Sequence, residues 1–219
     1  MYKFKHIDQS SWIGDWYNEL NFPKKREAGV LVEMGVGNVI DYYGRDTGAP
    51  IPLEYKRLGS NTSELLDLGW RGLYVDPVSE FLLQCSVLHK DNLDRLILLN
   101  CAAGDTDEEL VIGDGESFVS NSFNAGLGYI HRTVQCKPAS AILDKFSPST
   151  KINLLSLDVE GFEDRVLRSI NFNKYQFQMM IIEINKVSSS TVESIIPDYY
   201  EKVADDGLNA LYLNRRDTF

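Results

Sequence analysis

Apolar runs that end in an acid recur along this chain. Val30 to Val32 leads into Glu33, Gly72 to Val75 into Asp76, Ile152 to Leu157 into Asp158, and Met179 to Ile182 into Glu183. Leu96 to Cys101 is a further apolar run, followed by an acidic turn at Asp105 to Glu109. Between these runs the apolar positions recur at helical spacing. Trp12, Ile13, Trp16, Tyr17 and Leu20 follow the capping pair Ser10-Ser11, and Pro23 stops that helix. Asn61-Thr62-Ser63-Glu64 offers a capping box for a short helix to Leu68. Pro77 opens a helix carrying Phe81, Leu82, Cys85 and Leu88 on one face. Ala139, Ile142, Leu143 and Phe146 mark another helix, and Val166, Leu167 and Ile170 a third. A helical region interrupted by Pro197 is expected over 191–205, before a last strand at Asn209–Leu213.

Strands apolar on both faces that alternate with helices form a parallel sheet covered on both sides. The pattern therefore predicts one doubly wound α/β domain over residues 1–219, with three α/β/α layers, a mostly parallel sheet and a helical lead-in at 1–29. Two stretches break the pattern. Residues 38–59, NVIDYYGRDTGAPIPLEYKRLG, read as a loop insertion. Residues 113–132 are rich in Gly, Ser and Asn and read as a second functional loop, with an edge strand expected at Thr133–Lys137. No internal repeat or linker is visible.

Composition narrows the partners. Hydrophobic residues make up 43% and charged residues 25%, close to globular averages. No apolar run is long enough to span a membrane, and the polar, charged first ten residues do not read as a signal peptide. A net charge of −10 repels phosphate backbones, so nucleic acid is not the expected partner. Lys24-Lys25-Arg26 and Arg215-Arg216 read as solvated turns. Cys85, Cys101 and Cys136 are too scattered for a disulfide framework or a zinc site, which points to a reducing cytoplasm.

In an open parallel sheet the C-terminal strand ends form the binding crevice. The acids Glu33, Asp76, Asp158, Glu160 and Glu183 all fall at or just past that edge, where burial is costly unless something pairs with them. Helix capping is the competing reading, and Asp76 before Pro77 fits it well. Gly35 and Gly37 follow Glu33 as a strand-to-turn signal, but position 40 is Ile, so the dinucleotide spacing of glycines is incomplete. Asp76 lies 43 positions after Glu33, and removing the 38–59 insertion brings that gap near the ~20 expected of a nucleotide-binding unit.

Glu33-Met-Gly-Val-Gly37 resembles the first motif of class I S-adenosylmethionine-dependent methyltransferases. LGWRGLYVDP (68–77) and LNCAAGD (99–105) resemble the two strand ends that follow it. LDVEGFEDRVLRSINF (157–172) and MIIEIN (180–185) resemble the signature of the FkbM family. The resemblance covers roughly 30–214. It implies a Rossmann-like sheet, S-adenosylmethionine as cofactor, and methyl transfer to a hydroxyl of a sugar or other small metabolite, so that the partner is a small-molecule or glycan acceptor. By position it implies that Gly35 and Gly37 admit the methionine end of the cofactor with Glu33 close by. Asp76 would take the ribose hydroxyls, Cys101, Ala102 and Ala103 would lie along the adenine, and Asp158 would stand near the sulfonium. Asn61 joins the cofactor-binding candidates. Such folds close with a two-stranded hairpin, whereas one clear C-terminal strand is visible here.

Methyl transfer to a hydroxyl is an in-line displacement helped by alignment and by a general base. Period two along a strand places Asp158 and Glu160 on one side, and paired acids raise each other's pKa. They are the expected catalytic pair, Asp158 on the cofactor side and Glu160 on the substrate side as the base. Glu163 reads as a helix-dipole acid. His131 is an alternative base in a polar loop, and His6 and His89 carry no expected role. No HxxxH spacing points to a metal, and none is expected. A nicotinamide-dependent oxidoreductase and a catalytically inactive methyltransferase-like binding protein are the competing functions.

Overall fold

The computed structural model describes residues 9–19, 29–37, 39–40, 57–58, 60–114, 117–119, 131–146 and 150–216. Helix Gln9–Glu19 (α1) precedes strand Val30–Met34 (β1). Val39–Ile40 (β2) and Arg57–Leu58 (β3) pair antiparallel, so the two ends of the insertion meet; residues 41–56 lie outside the described residues. Then come Ser63–Asp67 (α2), Arg71–Asp76 (β4), Ser79–Leu88 (α3) and Leu96–Asn100 (β5). Ala102–Gly104 (β6), Glu108–Asp114 (β7), Ser117–Val119 (β8) and His131–Pro138 (β9) follow, then Ala139–Phe146 (α4) and Lys151–Leu157 (β10). Glu163–Ser169 (α5), Gln176–Glu183 (β11), Ser189–Ile195 (α6), Tyr200–Asp205 (β12) and Asn209–Asn214 (β13) complete the chain.

Seven strands form the main sheet in the order β12-β13-β11-β10-β1-β4-β5. The five strands from β11 to β5 run parallel, and β13 is antiparallel to both of its neighbours. One face carries Leu31, Tyr74, Leu154, Met179 and Ile181, packed under Ile13 and Tyr17 of α1, Leu65 and Leu66 of α2, and Leu82 and Cys85 of α3. The other carries Val32, Met34, Val75, Leu155, Leu157, Met180 and Ile182, packed under Ile142 of α4, Val166 and Leu167 of α5 and Val192 of α6. This is the expected three-layer Rossmann-like sheet, and it explains why the strands read as unbroken apolar runs.

Several local expectations are corrected. Residues 200–205 are not helical. The position before Pro197 is driven extended and ends the helix at Ile195, and Tyr200–Asp205 returns as the outer strand of the closing hairpin. Its charges (Glu201, Lys202, Asp205) mimic a helical surface but suit an exposed sheet edge. Thr133–Lys137 is not an edge either: β9 lies inside a second sheet ordered β6-β9-β7-β8, so Glu108 and Glu109 at the end of the acidic turn and part of the 113–132 stretch are strand, while 115–116 and 120–130 lie outside the described residues. Helix α1 begins at Gln9, so Ser10 and Ser11 lie within it. Thr62 is the residue before α2, but its side chain makes no capping bond.

The tightest packing in the sheet is between backbones. Gly35 has φ +85, and a Cβ built there would stand 1.5 Å from the carbonyl oxygen of Asp158. The turns leaving β1 and β10 touch, with Asp158 N–H donating to Met34 O (2.9 Å), while Gly35 N–H ties the end of β1 to β4 by donating to Val75 O (2.9 Å). Gly207 has a similar φ of +84 with nothing within 4 Å of its position. Gly207→Ala should therefore show the conformational cost alone, ~1 kcal/mol. Gly35→Ala adds the collision and should cost ~4 kcal/mol or more. Urea unfolding of both variants measures the difference; equal losses would contradict the close approach.

Candidate active site

Strand register places the functional residues in rows across one face. Tyr74, Glu33 and Ser156 are cross-strand partners on β4, β1 and β10. Two residues further along come Asp76 at the end of β4, Gly35 just past β1 and Asp158 just past β10, with Glu183 at the end of β11. Asp76, Gly35 and Asp158 of this second row border an open cleft of about 90 Å³. Gly35, Val36 and Gly37 form one wall; Asp76, Pro77, Ala102 and Ala103 another; Asp158, Val159 and Glu160 the far end.

Asp76 is 2% exposed and already heavily used. Its Oδ2 accepts from the backbone N–H groups of Val36 (3.0 Å) and Gly37 (3.2 Å), and its Oδ1 accepts from Val78 N–H (2.7 Å). One carboxylate thus shapes the glycine turn and fixes the residue that leads into α3. A carboxylate offers about four acceptor sites, so Asp76 has room for roughly one ligand hydroxyl. Desolvation, opposed by these three bonds, pushes its pKa up to about 6.

Glu33 lies beneath the cleft. It is fully buried, accepts from Ser60 Oγ (2.6 Å), Thr62 Oγ1 (2.6 Å) and Asn61 N–H (2.7 Å), and is pushed up to about 7 by desolvation. Asn61 is anchored beside it, its side-chain N–H donating to Ser156 Oγ (3.1 Å). Cys101 is buried and stands next to the cleft-lining Ala102 without lining the cleft itself. His131 opens β9, with its backbone opposite Gly113; its side chain lies outside the described residues.

Asp158, Glu160 and Glu183 bring carboxylate oxygens within 4.8 Å of one another. The convergence does not come from strand alternation, because β10 ends at Leu157. Glu160 adopts φ +58 and Gly161 φ +105, and this left-handed turn swings Glu160 back toward Asp158. Glu163 builds the turn: fully buried, it accepts from Val159 N–H (2.9 Å) and Gly161 N–H (3.1 Å). Lys186 is paired with Glu160, and Asn185 donates to Glu183 Oε1 (2.5 Å). Glu183 Oε2 is buried with no donor facing it among the described residues. Its neighbour is the Asp158 carboxyl, and two carboxyls satisfy each other only when one carries a proton. Both groups are accordingly held above the ordinary carboxylate range, by desolvation first and then by neighbouring carboxylate charge. Such a pair holds and releases a proton near neutral pH. Three oxygens at this spacing could also hold a divalent cation.

Residues 46–205, nearly three quarters of the chain, match the model of the methyltransferase FkbM domain. The chain belongs to the FkbM methyltransferase family. The matched span begins after Gly37, so the glycine turn joins the FkbM domain through the sheet rather than through the match. No curated protein sequence matches. Among solved structures, a methyltransferase from Geobacter sulfurreducens is 11% identical, covering 97% of this chain and 90% of its own, with a TM-score of 0.42. A putative rRNA methylase from Clostridium thermocellum is 9% identical over 95% and 96%, with a TM-score of 0.49. The METTL16 methyltransferase domain is 11% identical over 95% and 66%, also at 0.49. At these scores the fold rests on the sheet order of the FkbM domain itself.

The family and fold imply S-adenosylmethionine, and the lining fits it. Two glycines and two alanines leave room for a flat ligand, and a buried acid stands at the wall. The carboxyls at the far end suit a cationic sulfonium.

Sequence reasoning placed Gly35, Gly37, Asp76, Ala102, Asp158 and Glu160 on the cleft. It missed the hydroxyls of Ser60, Thr62, Tyr74 and Ser156, which single residue types do not signal, and the turn-building role of Glu163.

The buried acids make the stability of the FkbM domain pH-dependent in an unusual direction. Their folded pKa values lie above the unfolded ones, so the native state binds more protons between about pH 4 and 7. Unfolding free energy should fall as pH rises through that window. Urea midpoints of the ligand-free protein, measured in about 0.3 M salt to screen surface charge, should be higher near pH 5.5 than near pH 7.5. A midpoint that rises with pH would contradict the assignment.

Proposed function

We propose that this FkbM methyltransferase methylates a hydroxyl oxygen of a small-molecule or glycan acceptor, with Asp158 as the group that receives the hydroxyl proton. The observation that carries this reading is the carboxyl cluster at the far end of the cleft, where Asp158 shares a proton site with Glu183. S-adenosylmethionine supplies an electrophilic methyl on a sulfonium. The chain's own contribution is to align and to move a proton. The glycine turn and Asp76 orient the cofactor end of the cleft, and alignment of this kind supplies much of the acceleration in a displacement. Asp158 would receive the proton of the acceptor hydroxyl as its oxygen takes the methyl that the cofactor, held by the glycine turn and Asp76, would supply.

Lys186 occupies Glu160, which leaves Asp158 as the better-placed acceptor of the proton and gives Glu160 an orienting part. The net charge of −10 favours a neutral or cationic acceptor over a nucleic acid. Three buried free cysteines suit a reducing, cytoplasmic setting. No described helix is long and apolar enough to cross a membrane.

Cofactor binding by calorimetry, together with S-adenosylhomocysteine release across a panel of hydroxyl acceptors, tests the proposal. Asp158→Asn should lower turnover ~10²-fold or more while weakening cofactor binding less than tenfold. Glu160→Gln should be milder. Unchanged turnover in Asp158→Asn would remove it as the base and turn attention to His131. Turnover that collapses with a chelator would assign the three carboxyls to a metal instead.

A further inference from the structure

We propose that Glu33 is a positioning residue for cofactor binding, acting from beneath the cleft through the Ser60-Asn61-Thr62 segment rather than by touching the cofactor. The inference rests on the methyltransferase reading above and deepens it.

Glu33 is fully buried, and its hydrogen-bond donors among the described residues are two hydroxyls and one backbone N–H. A buried carboxylate without a cation is expensive, whereas its neighbours on the same face, Leu31 and Leu154, are simply apolar. A position that served the sheet alone would be apolar too.

All three donors come from one tripeptide, through which the chain re-enters the fold after the 38–59 insertion. Thr62 gives up helix capping to supply its hydroxyl to Glu33. Each hydroxyl has one proton. With those of Ser60 and Thr62 committed to Glu33, the Tyr74 hydroxyl, 3.0 Å from both, is left to donate to one of them. The network is thus closed around the carboxylate. Asn61, held by its N–H on Glu33, reaches Ser156 with its side chain and so bridges β1 to β10. Ser156 lies two residues before Asp158, and Glu33 two before Gly35. The bridge therefore braces, from one row below, the touching turns that form the cofactor end and the reacting end of the cleft.

Two near-isosteric changes test this. Glu33→Gln puts an amide N–H against donors, and Thr62→Val removes the hydroxyl while keeping the shape. Each should raise the KM for S-adenosylmethionine about tenfold with kcat changed less than about threefold, in protein whose circular dichroism and melting remain cooperative. Thr62→Ser, which keeps the hydroxyl, should restore wild-type KM. The double variant should be no worse than the poorer single one, because both break the same contact. Should Glu33→Gln fail to fold, Thr62→Val against Thr62→Ser carries the test. Unchanged KM in folded variants would overturn the positioning role alone, as would additive losses. A wild-type protein that binds no S-adenosylmethionine would overturn the functional reading, and this one with it.

Discussion

The structure depends on how closely two parallel strand ends can approach. Strands β1 and β10 are neighbours, and both turn away from the sheet at the same level. Only a residue without a Cβ lets the first turn pass the Asp158 carbonyl, and only a glycine adopts φ +85 there at low cost. Closing that gap lets one cleft have the glycine turn as its near wall and the Asp158 carboxyl as its far end. A side chain at position 35 would wedge the strands apart and separate the cofactor end of the site from the reacting end. Gly35 is therefore a packing requirement first, and its service to a ligand follows from it.

The approach would be wasted if the turns above it were loose. They are fixed by carboxylates bound to backbone N–H groups. Asp76 takes those of Val36 and Gly37, and Glu163 takes those of Val159 and Gly161. Glu33 does the same one row lower with Asn61. Acids suit this task because one side chain satisfies two or three donors that a turn leaves unpaired, and charge-assisted bonds are stronger than neutral ones. The cost is a concentration of negative charge in a poorly solvated place, visible as raised pKa values in five acids around the cleft. A cationic ligand relieves that cost on binding.

The sheet was legible in the sequence because its strands are buried on both faces, and that burial leaves an unmistakable apolar run. The strand-end acids were legible for the same reason: they interrupt those runs at one edge. What was not legible depends on partners far along the chain. Thr62 looks like a helix cap, and only the fold brings Glu33 to its hydroxyl. Glu201, Lys202 and Asp205 look helical, and only a place at the sheet edge makes that strand reasonable. Asp158 and Glu160 were paired through the wrong geometry. Alternation along a strand cannot act beyond Leu157, where the strand stops.

That last difference bears on the chemistry. Had the strand continued, two carboxylates would project side by side, equally placed. The left-handed turn makes them unequal. Glu160 sits at φ +58, a conformation that costs a non-glycine residue ~1–3 kcal/mol, and it is turned outward enough to meet Lys186. Asp158 stays inward, against the buried oxygen of Glu183. The strain is repaid by Glu163, whose carboxylate holds both ends of the turn. One acid thereby faces a cation and the other a second carboxyl, and the proposed role of Asp158 rests on that inequality.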